Sequence, residues 1–176
     1  MKLYVARHGQ TEWNARDVVL GRTDLPLNDT GRAQAELLAQ RITNCNINLI
    51  LSSPLLRARE TAACAARGAG CPIEVEERLI EQDFGRFEGV DRRDPEFLAA
   101  KRQSAVRYPG GESMFQTAHR VYSLLDELPG RYPGKTVLFV THNGICRIIE
   151  TYFHDVPNDD FVSFSLENCG LREYDL

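Results

Sequence analysis

Two arginines and two histidines stand where an α/β chain could use them for phosphate chemistry. Arg7 and His8 directly follow the apolar run "LYVA", and His142 directly follows "VLFVT". Arg57 lies in what we predict to be the first turn of a helix, where backbone N–H groups and the helix dipole favour an anion. Two guanidinium groups and two imidazoles around one point suit a phosphoryl group, whose oxygens accept paired hydrogen bonds.

The elements that must position these residues alternate between strands and helices. We predict strands over 2–7, 48–53, 72–76 and 135–142, and helices over 29–42, 111–128 and about 144–153, the first capped by Asn28. Another helix is predicted to begin at Ser53 and Pro54, with Ser53 as its N-cap. The segments "FVSFSLE" and "CGLREYD" are candidates to complete the sheet. The alternation predicts an α/β fold, a three-layer α/β/α sandwich with a mostly parallel central sheet and helices on both faces.

The carboxyl ends of the predicted strands define the expected ligand rim, since parallel sheets of this kind bind ligands there. His8, Ser53 and His142 each end or directly follow a strand, so we expect them on one rim. The stretch from Glu81 to Pro109 is less regular, and we expect it to pack over this rim as a lid.

Length and composition narrow the class of protein. The 176 residues predict one domain over 1–176, and 43% apolar with 26% charged residues exclude a disordered chain or a coiled coil. The net charge of −4 argues against nucleic acid as a partner, and no apolar run approaches the roughly 20 residues of a membrane span. Five cysteines without a CxxC pair indicate reduced thiols. We therefore expect a cytoplasmic protein with no membrane partner, and a homodimer is compatible with these features.

A metal centre is the competing chemical interpretation. His8, His142, His154 and Asp155 could supply ligands, but the chain has no HxH or HExxH pair, and adjacent arginines would repel a divalent cation. We therefore expect neither a metal nor another cofactor. His119 and His154 have no strand-end position, so we expect them to be surface or structural residues.

Six motifs occur in order along the chain: "ARHGQTEWN", "GRTDLPLNDTG", "SSPLLRARETA", "EQDFGRFEG", "PGGES" and "VTHNG". Together they resemble the histidine phosphatase superfamily, in the branch shared by phosphoglycerate mutases and small cofactor-independent phosphatases. The resemblance extends from Leu3 to about Arg147. It implies an enzyme that hydrolyses a phosphomonoester through a phosphohistidine and acts on a small phosphorylated metabolite.

The resemblance also implies a role for each matching catalytic residue. His8 matches the nucleophile, and Arg7, Arg57 and His142 match the residues that hold the phosphoryl oxygens. Glu81 matches the carboxylate that gives a proton to the leaving group, and only the fit of "EQDFGRFEG" selects it over the glutamates nearby. To attack, His8 must be neutral with one ring nitrogen free, and the flanking arginines favour that form.

Three further residues are candidates for substrate binding. Asn14 matches a phosphate contact, and Gly21 falls on a loop whose backbone approaches the substrate in similar proteins. Asn143 stands where Gly-Gly is more frequent after the histidine. It either adds a side-chain donor near the phosphate or begins the helix, and we favour the helix start.

The resemblance leaves three functions open. Leu20 stands where the mutases place a threonine, Phe84 stands where they place a tyrosine, and the chain lacks room for their longer segment after the acid motif. We therefore favour a phosphatase over a phosphoglycerate mutase-type transfer. A non-catalytic protein that binds a phosphorylated ligand is a third reading, disfavoured because every expected catalytic residue is present. Candidates for the pocket mouth are Leu20, Phe84, Phe87, Tyr108 and Glu112.

Overall fold

A five-stranded sheet forms the centre of the computed structural model, which describes residues 1–176. The strands are β1 (Lys2–Arg7), β2 (Leu49–Ser52), β3 (Ile73–Val75), β4 (Val137–Thr141) and β5 (Leu171–Asp175). Their order across the sheet is β3-β2-β4-β1-β5. Strands β1 to β4 are parallel, and β5 pairs antiparallel with β1. The mostly parallel sheet predicted from the alternating pattern is confirmed.

Seven helices surround the sheet. They are α1 (Glu12–Ala15), α2 (Asp29–Arg41), α3 (Leu56–Ala69), α4 (Pro95–Lys101), α5 (Met114–Arg131), α6 (Asn143–Phe153) and α7 (Asn158–Ser163). Two short 3-10 turns cover Glu77–Leu79 and Gly85–Phe87. The helix α2 is capped as predicted, because the Asn28 side chain accepts the Gly31 N–H at 2.8 Å.

The central strands are buried on both faces, which produces the three layers. Along β2, Leu49 and Leu51 join the apolar core under α5 and α6, whereas Ile50 joins the core under α2 and α3. Successive strand residues point to opposite faces, so a continuous apolar strand supplies both cores at once. The carboxyl ends of β1, β2 and β4 consequently emerge together at one edge of this sandwich.

The predicted start of α3 at Ser53 is wrong. The helix begins at Leu56, its N-cap Leu55 has no side-chain capping bond, and Ser53 lies outside it. The Ser53 hydroxyl instead accepts the Leu55 N–H at 3.3 Å and lies 2.7 Å from Nε2 of His142. The Ser53 hydroxyl therefore contacts His142, which is distant in sequence, and does not cap α3 as the local pattern predicted.

The prediction that "FVSFSLE" completes the sheet is also wrong, whereas "CGLREYD" does so as β5. Residues 161–163 belong to α7, and 164–167 form neither helix nor strand. The carbonyls of Val162, Phe164 and Leu166 accept hydrogen bonds from side-chain cations instead of from a neighbouring strand. These cations come from other parts of the chain, so the alternating pattern alone could not reveal them.

The stretch from 81 to 109 packs over the rim, as predicted. It has a small apolar core of its own, in which Phe87, Phe97 and Tyr108 surround Val19 from the loop after β1. Backbone hydrogen bonds join the two segments, with Val19 N–H donating to the Val90 carbonyl at 2.8 Å. We call residues 81–109 the lid. No helix of the chain combines the length and apolar character needed to cross a membrane.

Candidate active site

His8, Ser53 and His142 meet at the rim, as their strand-end positions predicted. His8 follows β1 and His142 follows β4, and these two strands pair in parallel. The His8 N–H donates to the Thr141 carbonyl at 2.9 Å, and the two imidazole centroids lie 5.1 Å apart. Both rings are almost completely buried. Two adjacent parallel strands therefore present two imidazoles to the same small volume.

The hydrogen bonds of His8 determine which ring nitrogen is free. Nδ1 lies 2.7 Å from the Gly9 carbonyl, which can only accept, so Nδ1 carries the proton. Nε2 is then the unprotonated nitrogen, and Nε of Arg57 donates to it at 3.3 Å. Gly9 is fixed by its own N–H, which donates to Thr61 at 3.0 Å, and a Cβ on Gly9 would lie 2.5 Å from the Gly31 carbonyl oxygen. The local backbone thus holds the His8 ring in the tautomer that leaves Nε2 unprotonated.

The surroundings keep His8 neutral. Burial is the main cause that lowers its pKa well below the usual 6.5, and the positive charges of Arg57 and Arg7 lower it further. The pKa of His142 is also well below 6.5, first through burial and then through Arg57 and His8. Neutral imidazole is the form that can attack phosphorus.

Arg57 is held by three hydrogen bonds and has no exposed surface. In addition to the bond to His8, its terminal nitrogens donate to the carbonyls of Gly21 at 2.6 Å and Thr23 at 2.9 Å. Burial lowers its pKa to about 10, although nearby carboxylates oppose the shift, so it stays charged at neutral pH. The loop 21–23 therefore fixes a guanidinium beside the nucleophilic nitrogen.

Glu88 of the lid fixes this loop in turn. Its carboxylate accepts the backbone N–H groups of Gly21, Arg22 and Thr23 at 3.1, 2.7 and 3.2 Å. It also accepts the Thr23 hydroxyl at 2.8 Å. Glu88 is one of the glutamates near Glu81, and its role could not be predicted from the sequence, because four hydrogen bonds to a distant loop leave no local pattern.

Two buried nitrogens at the rim have no partner in the protein. They are Nε of Arg7 and Nδ1 of His142. One terminal nitrogen of Arg7 donates to the Leu166 carbonyl at 2.7 Å, and burial lowers the arginine pKa to about 10. A buried donor without a partner is costly, so Nε of Arg7, and Nδ1 of His142 in the tautomer that carries its proton there, are available to an added acceptor. A phosphoryl group supplies such acceptors.

Glu81 lies at the same rim and is buried. One carboxylate oxygen accepts the Gln82 N–H at 2.9 Å, and the other accepts the Gly144 N–H at 3.1 Å. A Cβ on Gly144 would lie 2.5 Å from the first of these oxygens, so only glycine allows this approach. Burial lowers the pKa of Arg7 and of Arg57, and the charge of Glu81 opposes this shift at both arginines.

The three predicted substrate-binding residues differ in how the structure uses them. Asn14 belongs to a capping box with Thr11 at the start of α1, which leaves its side-chain N–H groups without a protein acceptor. The Gly21 N–H and carbonyl are both taken by protein groups, Glu88 and Arg57. Asn143 is the first residue of α6, as favoured, and its side-chain oxygen accepts the Leu166 N–H at 2.8 Å.

A cavity of about 90 Å³ opens from Glu81 beneath the lid. Leu20 and Phe84 line it, as predicted for the mouth, together with Val19, Phe97, Asn143 and Gly144. Phe87 and Tyr108 pack in the lid core instead, and Glu112 binds Arg120 and Arg22. These last three are therefore not lining residues, because the lid core occupies Phe87 and Tyr108 and the two ion pairs occupy Glu112.

Three positively charged residues that line this cavity were not predicted from the sequence: Arg92, Lys101 and Arg147. Arg147 is as buried as Arg7, and its Nε has no partner. One signal could have identified it, since Arg147 lies three residues after Gly144 on α6 and so shares its helix face. Arg92 and Lys101 lie on the irregular lid, where spacing carries no such signal.

The four metal ligands weighed from the sequence do not come together. No group of three or more His, Cys, Asp or Glu side chains is arranged to hold a metal ion. His154 ends α6 and pairs weakly with Glu150, and both His154 and Asp155 are exposed. His119 lies exposed on α5, whereas the two rim histidines are buried.

The fold and this site together define a class: an α/β protein whose sheet presents a neutral histidine among cations arranged for a phosphoryl group. The sequence pattern of the histidine phosphatase superfamily (branch 1) matches residues 3–176. The chain therefore belongs to the histidine phosphatase superfamily.

Individual relatives span both activities that the sequence left open. The chain is 32% identical to a probable phosphoglycerate mutase GpmB of Photorhabdus laumondii, over 99% of this chain and 85% of the relative. A mycobacterial glucosyl-3-phosphoglycerate phosphatase superposes with a TM-score of 0.86 at 28% identity, over 98% of this chain and 90% of the other. The phosphoserine phosphatase of Entamoeba histolytica, solved with 3-phosphoglyceric acid, gives a TM-score of 0.84 at 28% identity, over 98% and 89%.

Proposed function

We propose that this enzyme hydrolyses a phosphomonoester of a small metabolite through a phosphohistidine on His8. The observation that carries the proposal is the state of Nε2, which is unprotonated and buried among positively charged groups. The unpartnered nitrogens of Arg7 and His142 at the same rim supply donors for phosphoryl oxygens. Asn14, with free amide hydrogens, is a further candidate donor.

The reaction proceeds in two displacements. In the first, Nε2 of His8 attacks phosphorus, the bond to the ester oxygen breaks, and the leaving alkoxide takes a proton from the Glu81 carboxyl. In the second, a water oxygen attacks phosphorus while the Glu81 carboxylate takes a proton from that water. The phosphorus–nitrogen bond then breaks, and inorganic phosphate leaves neutral His8 behind.

The protein groups around His8 stabilise the charge on the transferring phosphoryl group. Arg57 and Arg7 are fixed before substrate arrives, because Arg57 donates to the carbonyls of Gly21 and Thr23 and one nitrogen of Arg7 donates to the Leu166 carbonyl. For His142, the Ser53 hydroxyl can donate to Nε2 because Ser53 itself accepts from Leu55. In that tautomer Nδ1 carries the proton and donates to a phosphoryl oxygen. Preorganised donors of this kind supply most of the stabilisation in phosphoryl transfer.

Phosphoglycerate mutase-type transfer is the second candidate, and the name of the Photorhabdus relative favours it. A mutase must protect the phosphohistidine from water until the intermediate rebinds. Leu20 and Phe84, which line the cavity here, stand where the mutases place a threonine and a tyrosine. These apolar side chains offer no hydrogen bond to a rebinding intermediate, so we favour hydrolysis.

The experiment is a phosphatase assay with p-nitrophenyl phosphate in the presence of a chelator. We expect turnover by the unmodified enzyme and loss of activity in His8→Ala. His154→Ala is the matched control, since it removes an exposed histidine distant from the rim. Activity that persists in His8→Ala, or that vanishes with chelator and returns with zinc, would refute the mechanism. Rapid conversion of 3-phosphoglycerate into 2-phosphoglycerate without phosphate release would instead establish the mutase.

A further inference from the structure

Arg147 and Lys101 remain unexplained after the phosphoryl group has been assigned to the rim. Neither cation forms an ion pair with a carboxylate, although Arg147 is only 7% exposed. One nitrogen of Arg147 donates to the Phe164 carbonyl at 3.2 Å, its Cζ lies 5.5 Å from the centroid of the Phe161 ring, and its Nε has no acceptor. A buried charge that has no close ion-pair partner is costly. Glu81 is the one carboxylate that lines the cavity beside Arg92, Lys101 and Arg147, so the lining carries more positive than negative charge and favours a further anion.

Lys101 is also drawn into this site rather than into solvent. Its ammonium donates to the Val162 carbonyl at 2.8 Å, which leaves two hydrogens for another acceptor. Burial and then the nearby positive charges of Arg147, Arg92 and Arg102 lower its pKa to about 8. Three cations thus face one another across a small cavity, and an anionic group between them would relieve their repulsion.

A single backbone segment anchors these cations and the phosphate-site arginine. The carbonyls of Leu166, Phe164 and Val162 accept hydrogen bonds from Arg7, Arg147 and Lys101 respectively. The acceptors of Arg7 and Arg147 are two residues apart, so they lie at most about 7 Å from each other. The acceptor of Lys101 lies two residues earlier, in the last turn of α7.

The cavity that these cations line also contains a residue of the proposed reaction. Glu81, the proposed proton donor to the leaving group, lines the same cavity as Arg147 and Lys101. The leaving group must consequently occupy the cavity when the phosphoryl group is bound at His8.

We propose that Arg147 and Lys101 form a second anion subsite, so the preferred substrate is a small phosphomonoester whose leaving group carries a carboxylate or a second phosphate. This inference rests on the proposed function, because it places the leaving group beyond Glu81. Arg92 lies at the same cavity but is partly exposed and already contacts the Val18 carbonyl at 3.1 Å, so it has a lesser part. The subsite selects the substrate and takes no part in bond breaking.

The test compares substrates that differ in one group. 3-Phosphoglycerate carries a carboxylate where glycerol 3-phosphate carries a neutral hydroxymethyl group, and glycerol 1,3-bisphosphate carries a second phosphate. We expect kcat/KM for the better of the two acidic substrates to exceed that for glycerol 3-phosphate by about tenfold or more, the worth of one charge-assisted hydrogen bond. The acidic substrate with the larger value identifies the group that the subsite takes.

Variants test whether Lys101 and Arg147 cause the preference for acidic substrates. Lys101→Gln and Arg147→Lys should each reduce the ratio of kcat/KM between acidic and neutral substrate by about tenfold, mainly through KM of the acidic substrate. Arg102→Gln is the matched control, because it removes the same charge from the next residue, whose side chain is exposed and does not line the cavity. That control should leave the ratio unchanged. Arg147→Lys keeps the charge in case a neutral residue prevents folding.

Binding measurements separate this proposal from the proposed function. Calorimetric titration of His8→Ala with 3-phosphoglycerate, glycerol 1,3-bisphosphate and glycerol 3-phosphate reports the subsite without turnover. Hydrolysis of p-nitrophenyl phosphate with no preference for either acidic substrate would overturn the subsite and leave the phosphatase standing. Absence of all hydrolysis, with tighter binding of an acidic ligand that Lys101→Gln abolishes, would overturn the phosphatase and support the subsite.

Discussion

The imidazole of His8 owes its reactivity to burial and to two hydrogen bonds that fix its tautomer. Its Nδ1 proton is held by the Gly9 carbonyl, and Arg57 donates to Nε2. The sequence identified the residue type, the strand-end position and the need for one backbone-bound nitrogen. The bond from Arg57 to Nε2 and the contact of His142 with Ser53 depend on packing between distant segments, so no local pattern could predict them.

The two rim histidines make stability depend on pH. Both have folded-state pKa values well below 6.5, mainly through burial. Below about pH 6.5 the unfolded chain takes up protons that the folded chain does not. The free energy of unfolding is therefore highest above pH 6.5 and decreases as the pH is lowered from there. The slope approaches about 1.4 kcal/mol per pH unit for each histidine. Chemical denaturation between pH 7.5 and 5.5 in phosphate-free buffer measures it.

A histidine variant tests whether His8 causes this pH dependence of the free energy of unfolding. His8→Asn should lower the pH dependence of the free energy of unfolding by about one proton, whereas His154→Asn, which changes an exposed residue, should not. Burial raises the pKa of Glu76, but its hydrogen bonds to Arg78 and Arg131 outweigh this effect and lower the pKa to about 2. Glu76 therefore changes the free energy of unfolding only below about pH 4.5. An unchanged slope in His8→Asn would contradict the neutral state of His8.

Gly144 tests the placement of Glu81. In Gly144→Ala the new Cβ would lie 2.5 Å from a Glu81 oxygen, so the carboxylate must move. We expect kcat/KM, which reports formation of the phosphohistidine, to fall by about tenfold to a hundredfold for alkyl phosphates and to fall less for p-nitrophenyl phosphate, because its leaving group needs no proton. Steady-state kinetics with both substrates measures the difference.

The control for this substitution is Gly130→Ala. Gly130 lies on α5, and a Cβ there meets no atom within 4 Å. Its kinetics should match those of the unmodified enzyme. Equal losses for both substrates in Gly144→Ala would show that Glu81 does not protonate the leaving group.

At the scale of elements, the structured loops matter as much as the sheet. The strands β1 to β4 and the long helices follow periodic patterns and are predicted within a few residues. The segment 161–167 and the start of α3 are predicted wrongly, because side chains from elsewhere take their hydrogen-bonding groups. Local sequence propensity predicts a helix or strand correctly only where no distant residue competes for the hydrogen-bonding groups of that segment.

The loop 21–23 gives an element-scale prediction. Glu88→Gln weakens the four bonds that hold this loop, and the loop carbonyls hold Arg57. We expect kcat to fall about tenfold to a hundredfold with KM changed less, since Arg57 stabilises the transferring phosphoryl group. Glu88 is a positioning residue, so a purely structural role would lower thermal stability without this separation of kcat from KM.

Glu96→Gln provides the control for Glu88. Glu96 also lies on the lid, but its side chain is 71% exposed and pairs only with Arg86. Its kinetic constants and thermal midpoint should stay near those of the unmodified enzyme. A loss in Glu88→Gln confined to stability would refute the link from the lid to Arg57.

At the scale of the whole molecule, the sheet supplies the nucleophile and the lid supplies the pocket. The strands β1 and β4 bring His8 and His142 together, whereas the lid contributes Glu81, Glu88, Phe84 and Lys101 from one irregular stretch. The fold class and the reaction class were readable from alternation and motifs. The cations that face the leaving group were not, because the lid folds on its own apolar core without a repeating pattern.

The most direct test of the account is the site of phosphorylation during turnover. The enzyme is mixed with p-nitrophenyl phosphate, quenched within milliseconds under alkaline conditions that preserve phosphohistidine, and digested for peptide mass spectrometry. We predict one added phosphoryl group on the peptide that contains His8, located on that residue, and none in His8→Ala. A phosphoryl group on another side chain, or undiminished hydrolysis by His8→Ala, would contradict the account.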